Sequence, residues 1–118
     1  MSENRVNINY IEFKAKDLVE IKRFYSGAFG WNFTDFGDNY TAFDKNGLEG
    51  GFELTNENIV NGALVVLHHT NLEEIKNKVI SHGGKISVDT FSFPGGSRFH
   101  FLDPSGNELA IWCEESNG

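Results

Sequence analysis

The order of hydrophobic and polar positions predicts the same series of elements twice along the chain. Apolar residues at helical spacing, each series preceded by an Asx residue that can cap a helix, predict helices at 18–28 and 72–82. Short alternating runs predict strands at 5–13, 31–36, 39–44, 48–54, 63–69, 85–91, 97–102 and 107–113. The element order is therefore β-α-β-β-β, repeated once, and the fold class is α+β.

A weak internal repeat in the sequence agrees with this duplication. A shift of 54 residues places Asp17 on Asn71 and Gly30 on Gly84, and a shift of 59 residues places Asp44 on Asp103. We therefore expect residues 1–118 to form a single domain with one module at about 5–54 and a second at about 63–114.

Composition excludes several classes of partner. The net charge of −7 argues against sequence-independent binding to nucleic acid or to an anionic membrane, both of which require basic surfaces. No apolar run approaches the ~20 residues of a membrane-spanning helix. The acidic, polar start at Met1 does not resemble a signal peptide, so a cytoplasmic location is expected.

Turn chemistry predicts which side chains share a face of the last two strands. The segment from Asp103 to Asn107 reads Asp-Pro-Ser-Gly-Asn, which suits a three-residue hairpin loop with a bulge at the glycine. Counting outward from this loop separates an apolar face from a mixed one. The mixed face, typical of a ligand cleft, carries His100, Leu102, Glu108, Ala110 and Trp112.

The same count applied to residues 44–48 assigns faces in the first module. It pairs Phe43 with Glu49 and Asn39 with Glu53, and so predicts that Phe43 and Glu53 face the cleft. It places Tyr40 and Phe52 on the core side. The segment 94–98, Pro-Gly-Gly-Ser-Arg, is interpreted as a mobile rim of the cleft that supplies Arg98 as a nearby cation.

Two groups of residues then resemble a known family. They are Phe24-Tyr25 followed by Ala28-Phe29-Gly30-Trp31, and Phe101-Leu102-Asp103-Pro104-Ser105-Gly106-Asn107-Glu108-Leu109. Together they resemble the glyoxalase/bleomycin-resistance/dioxygenase superfamily, also called vicinal oxygen chelate proteins. The resemblance implies two tandem βαβββ modules whose curled mixed sheets surround a cleft, and a homodimer. It also implies that Tyr10 and Glu12 face the cleft, which in the family holds either a metal or a drug-like molecule.

The metal-ligand positions of the family are mostly lost. By the resemblance, they correspond here to Tyr10, Leu64, Ala110 and either Gly51 or Glu53. Leu and Ala have no donor atom, so Glu53 is the only retained candidate ligand. We therefore predict no metal and no cofactor, with a divalent metal at a relocated site as the alternative.

The favoured function is metal-free binding of a small molecule, aromatic or cationic and drug-like. The candidate ligand-binding residues are Tyr10, Glu12, Phe43, Glu53, His100, Glu108 and Trp112. A first alternative is a glyoxalase-like lyase or isomerase, or a dioxygenase-type enzyme, with catalytic candidates Glu12, His100 and Glu108. A second is a non-catalytic interaction module whose cleft is filled by Trp112, Phe43 and Leu102. Structural roles also stay open, because Glu12 can pair with Lys14 and His100 with Glu108.

Overall fold

The computed structural model describes residues 5–115, and within them the predicted element order is confirmed. The first module contains β1 (Tyr10–Ala15), α1 (Leu18–Phe29), β2 (Phe33–Asp35), β3 (Tyr40–Asn46) and β4 (Leu48–Leu54). The second contains β5 (Val65–His68), α2 (Leu72–Ser81), β6 (Lys85–Phe93), β7 (Gly96–Leu102) and β8 (Glu108–Glu114). No helix of the described residues is long and apolar enough to cross a membrane.

Each module forms one mixed four-stranded sheet. The first sheet has the order β1-β4-β3-β2 and the second the order β5-β8-β7-β6. The first strand of each module runs parallel to the last, and the remaining pairs are antiparallel. This duplicated topology confirms the predicted α+β fold of two βαβββ modules.

Both helices begin at the predicted caps. The side chains of Asp17 and Asn71 accept hydrogen bonds from the amides of Glu20 and Glu74, each at 3.0 Å. Gly30 ends α1 in the left-handed conformation, at φ 74°. The predicted helix boundaries therefore agree with the structure within one residue.

One hydrophobic core joins the two modules. The inner faces of both sheets and the buried sides of both helices contribute to it, with Phe24, Tyr25, Phe52, Phe99 and Phe101 among its largest members. The Tyr25 hydroxyl donates to Asp103 Oδ2 at 2.8 Å, so α1 is tied to the β7–β8 turn. Burial raises the pKa of Tyr25 well above its usual value, and the adjacent Asp103 raises it further.

The β7–β8 hairpin has the predicted register. His100 opposes Ala110, Leu102 opposes Glu108, and the Asp103 amide donates to the Asn107 carbonyl at 2.9 Å. The Asp103 carboxylate also accepts hydrogen bonds from the three backbone amides of residues 105–107 at 2.9–3.0 Å. The side chains of β8 therefore face as the turn chemistry predicts.

The β3–β4 hairpin differs from its prediction by one residue. Phe43 opposes Gly50 rather than Glu49, because the strands turn tightly around Gly47 and an extra residue is accommodated between Phe43 and Asn46. A one-residue shift moves every side chain of a strand to the other face. The predicted cleft position of Phe43 and the predicted core position of Tyr40 are therefore both wrong, whereas the core position of Phe52 is confirmed.

The largest boundary differences from the sequence prediction concern the first strand and the segment 94–98. The first strand begins at Tyr10 rather than at residue 5. The segment predicted to be a mobile rim is mostly strand, since only Pro94 and Gly95 form the turn between β6 and β7. Arg98 consequently lies within β7, two residues before His100.

Candidate functional site

Each sheet has one face that is turned away from the helices. In β1, and in β7 from Arg98 onward, the more exposed residues alternate with residues that pack into the core, and the register of β7 with β8 assigns the faces of β8. The face of the first sheet, called here the first open face, carries Tyr10, Glu12, Lys14, Tyr40 and Glu53. The face of the second sheet, the second open face, carries His68, Arg98, His100, Glu108 and Trp112.

A pair of tyrosines lies on the first open face. The hydroxyls of Tyr10 and Tyr40 are 2.5 Å apart, although the two residues are on different strands. The pKa of Tyr40 is raised, mainly by burial, and also by Tyr10 and Glu12. Tyr40 therefore stays protonated at physiological pH and can donate a hydrogen bond on this face.

The two carboxylates of the first open face share one cation. Lys14 Nζ lies 3.5 Å from Glu12 Oε2 and also contacts Glu53 Oε1. The hydrogen bond and charge of Glu53 raise the pKa of Lys14, and Glu12 adds to this effect. The structural role anticipated for Glu12, pairing with Lys14, is therefore present, and Lys14 offsets part of the negative charge of the pair.

A histidine and a carboxylate form a pair on the second open face. His100 Nδ1 lies 3.2 Å from Glu108 Oε2, which also accepts a hydrogen bond from the Ser87 hydroxyl at 3.1 Å. The His100 side chain is only 12% exposed, whereas that of Glu108 is 31% exposed. The carboxylate fixes the orientation of the imidazole, so that its other nitrogen, Nε2, points away from Glu108.

Aromatic side chains and one arginine lie beside this pair. The Arg98 guanidinium carbon is 5.3 Å from the ring centre of Phe91 and 5.8 Å from that of Phe93. The Trp112 ring centre is 6.3 Å from that of Phe93 and 5.2 Å from that of His68. The second open face therefore carries several aromatic rings beside one cation.

The predicted site residues divide between the two faces. Tyr10, Glu12 and Glu53 lie on the first open face, and His100, Glu108 and Trp112 lie on the second. A hollow of about 400 Å³ beside the linker between the modules is lined by both Glu12 and Glu108. A larger hollow of about 600 Å³, beside the end of α1, contains none of the predicted residues.

Phe43 is excluded from the site by its packing. Its side chain is 7% exposed, and its ring centre lies 4.7 Å from that of Trp31 in the core.

Sequence reasoning also missed three aromatic residues that do face outward, Tyr40, Phe91 and Phe93. The alternation of Phe91 and Phe93 along β6 was an available signal, whereas the position of Tyr40 depended on the register of β3.

The side chains at the family's metal positions do not fit a metal. Ala110 is fully buried and has no donor atom, and Glu53 is engaged by Lys14. Within residues 5–115, no three His, Cys, Asp or Glu side chains come close enough together to hold a metal ion. We therefore derive no chemical step through a metal.

Comparison with known proteins gives one consistent result. A family model described as Glyoxalase/Bleomycin resistance protein/Dioxygenase superfamily matches residues 7–111. A family enzyme from Burkholderia phytofirmans PsJN has a TM-score of 0.80 at 15% identity, covering 91% of this chain and 98% of its own. A glyoxalase-related enzyme from Fulvimarina pelagi has a TM-score of 0.75 at 20% identity, covering 92% of this chain and 88% of its own.

Curated relatives are longer than this chain. Proteins named "Putative glyoxylase CFP32" from Mycobacterium bovis and Mycobacterium tuberculosis are each 21% identical over 88% of this chain. The match covers 44% of their length, so the chain spans less than half of the curated relatives that it matches.

Proposed function

Because this chain belongs to the glyoxalase/bleomycin resistance protein/dioxygenase superfamily, we propose that it is a metal-free member that binds a small planar molecule on the second open face. The observation that carries the proposal is the aromatic surface formed by Trp112, Phe93 and Phe91 around Arg98. Aromatic residues on a face with a few fixed polar groups are typical of a small-molecule site. The lack of donors at Ala110 and Leu64 supports binding without a metal.

The charge of this surface refines the class of ligand. The chain is acidic overall, which by itself favours a cationic guest. The aromatic rings of the second open face, however, already have the guanidinium of Arg98 over them. A second cation would be repelled at this point, so an aromatic ligand without a positive charge is favoured here.

Tryptophan fluorescence provides a direct test. The sequence contains two tryptophans, and Trp31 packs against the core while Trp112 lies on the second open face. In a Trp31→Phe variant, Trp112 is the only reporter. Planar aromatic compounds should change its emission saturably, whereas Trp112→Ala should weaken binding measured by calorimetry. No saturable change with any aromatic probe, in protein whose circular dichroism is native, would exclude the proposal.

A second candidate function is supported by the His100–Glu108 pair. A histidine held by a carboxylate can act as a general acid or base, and the mycobacterial relatives carry a glyoxylase name. If elemental analysis of untagged protein found near-stoichiometric Zn, Ni, Fe or Mn, a metal-dependent enzyme would be favoured. Turnover of a bound compound, followed by NMR and lost in His100→Gln, would favour an acid–base enzyme that needs no metal.

We also propose that the protein is a homodimer. Apolar residues on the edge strand β5 and next to it are exposed, with Leu64 at 39% and Val66 at 43%. A second copy would cover this edge and bring another open face towards the aromatic one. A monomeric mass by light scattering at micromolar concentration would contradict the proposal.

The non-catalytic alternative, a cleft filled by Trp112, Phe43 and Leu102, loses support because Phe43 lies in the core.

A further inference from the structure

Two buried nitrogen atoms on β7 have no hydrogen-bond partner within residues 5–115. They are Nε of Arg98 and Nε2 of His100. The two residues are separated by one position on the same strand, so their side chains share a face about 6.6 Å apart. Buried polar atoms are nearly always paired in folded proteins, so two on one face indicate that a partner from outside the chain completes them.

The acidic groups around this position are already engaged. Glu114 accepts from His68 Nε2 at 2.8 Å, and Glu108 is held by His100 Nδ1 and by Ser87. In the part of the chain that the structure describes, no carboxylate forms a salt bridge with Arg98. The planar donors of its guanidinium, which match a carboxylate in shape, are thus left without an anion.

Phe91 packs beside both side chains. Its ring centre is 5.3 Å from the Arg98 guanidinium carbon and 6.0 Å from the centre of the His100 ring. Phe91 is itself 37% exposed, so its outward side does not pack against the protein. A rotation of this side chain would uncover the two nitrogens while Trp112 stays in place on the neighbouring strand.

We propose that Arg98 and His100 anchor a hydroxylated aromatic carboxylate. The carboxylate of the ligand accepts hydrogen bonds from the guanidinium of Arg98, and the ligand hydroxyl, which can donate or accept, bonds to His100 Nε2. The aromatic ring of the ligand lies against Trp112 after Phe91 has moved aside. This assignment rests on the proposed function, which places an aromatic ligand on the second open face.

Calorimetry with matched probes separates the assignment from the proposed function. 4-Hydroxybenzoate should bind at least about tenfold more tightly than its neutral isostere 4-hydroxybenzamide and than 4-hydroxybenzylamine. Equal or tighter binding of the amide or the amine overturns the anion anchor and leaves aromatic binding intact. If none of the three probes binds, the proposed function and the anchor fail together.

Variants test the two residues separately. Arg98→Gln should weaken 4-hydroxybenzoate about tenfold or more and leave 4-hydroxybenzamide within about twofold, while Arg98→Lys retains part of the preference. Arg23→Gln, on an exposed position of α1, is the matched control and should change neither probe. Equal weakening of both probes by Arg98→Gln would show a structural role and overturn the anchor.

His100→Phe tests the contact with the ligand hydroxyl. In this variant, benzoate and 4-hydroxybenzoate should bind equally. If 4-hydroxybenzoate still binds more tightly, His100 does not bind the ligand hydroxyl.

Discussion

Replacing Tyr25 by Phe should destabilise the protein measurably, because it removes one hydroxyl from the centre of the fold. Tyr25 is fully buried, and its hydroxyl donates to Asp103 Oδ2 at 2.8 Å. In the variant, Oδ2 loses this donor and keeps the one from the Asn107 side chain at 3.0 Å. A hydrogen bond to a charged group contributes about 1.5–3 kcal/mol, and we expect a loss of about 2 kcal/mol.

The corresponding change in melting temperature follows from the size of the chain. An unfolding entropy of about 2.1 cal/mol/K per residue over 118 residues converts 2 kcal/mol into a decrease of about 8 °C. Differential scanning calorimetry of both proteins at neutral pH measures this decrease. Tyr10→Phe is the control, since Tyr10 is 43% exposed and its hydroxyl bonds to the Tyr40 hydroxyl rather than to a charged group, so its decrease should be smaller. A Tyr25→Phe decrease no larger than that of the control would refute the argument.

Two further predictions concern the free energy of unfolding. Gly50→Ala should cost about 1–3 kcal/mol in urea unfolding, because a Cβ at this position meets the Ile11 carbonyl oxygen and the Phe43 ring. Gly62→Ala, with open space around it, should be nearly neutral. The pKa of Tyr25 is raised in the folded state, so the unfolded chain loses this proton first and stability should fall as pH rises above about 10. Between about pH 8 and pH 11, the free energy of unfolding should fall less steeply with pH in Tyr25→Phe than in the unchanged protein. Part of the fall should persist in the variant, because the pKa of Tyr40 is also raised. Equal slopes of unfolding free energy against pH in the two proteins would contradict this explanation.

Turn chemistry decided which faces could be predicted from the sequence. The loop after β7 begins with Asp103, whose carboxylate accepts from the amides of the next residues, so the local sequence fixes the register. His100, Glu108 and Trp112 were therefore placed on the correct face. The loop after β3 contains a similar glycine, but no residue nearby marks the extra position in the strand. For this reason Phe43 was assigned to the cleft face and Tyr40 to the core face, the reverse of their positions in the structure. Nothing in the local pattern distinguishes the two registers.

The preference for a cationic ligand illustrates a different limit of sequence reasoning. A net charge of −7 describes the whole chain, but a ligand on a surface responds mainly to unpaired charges within about a Debye length. On the first open face, Lys14 engages both Glu12 and Glu53. On the second, the neighbouring carboxylates are engaged by histidines, and the guanidinium of Arg98 is left over the aromatic rings. The local field of the candidate site can therefore favour an anionic group even though the protein is acidic, because pairing depends on tertiary contacts and not on composition.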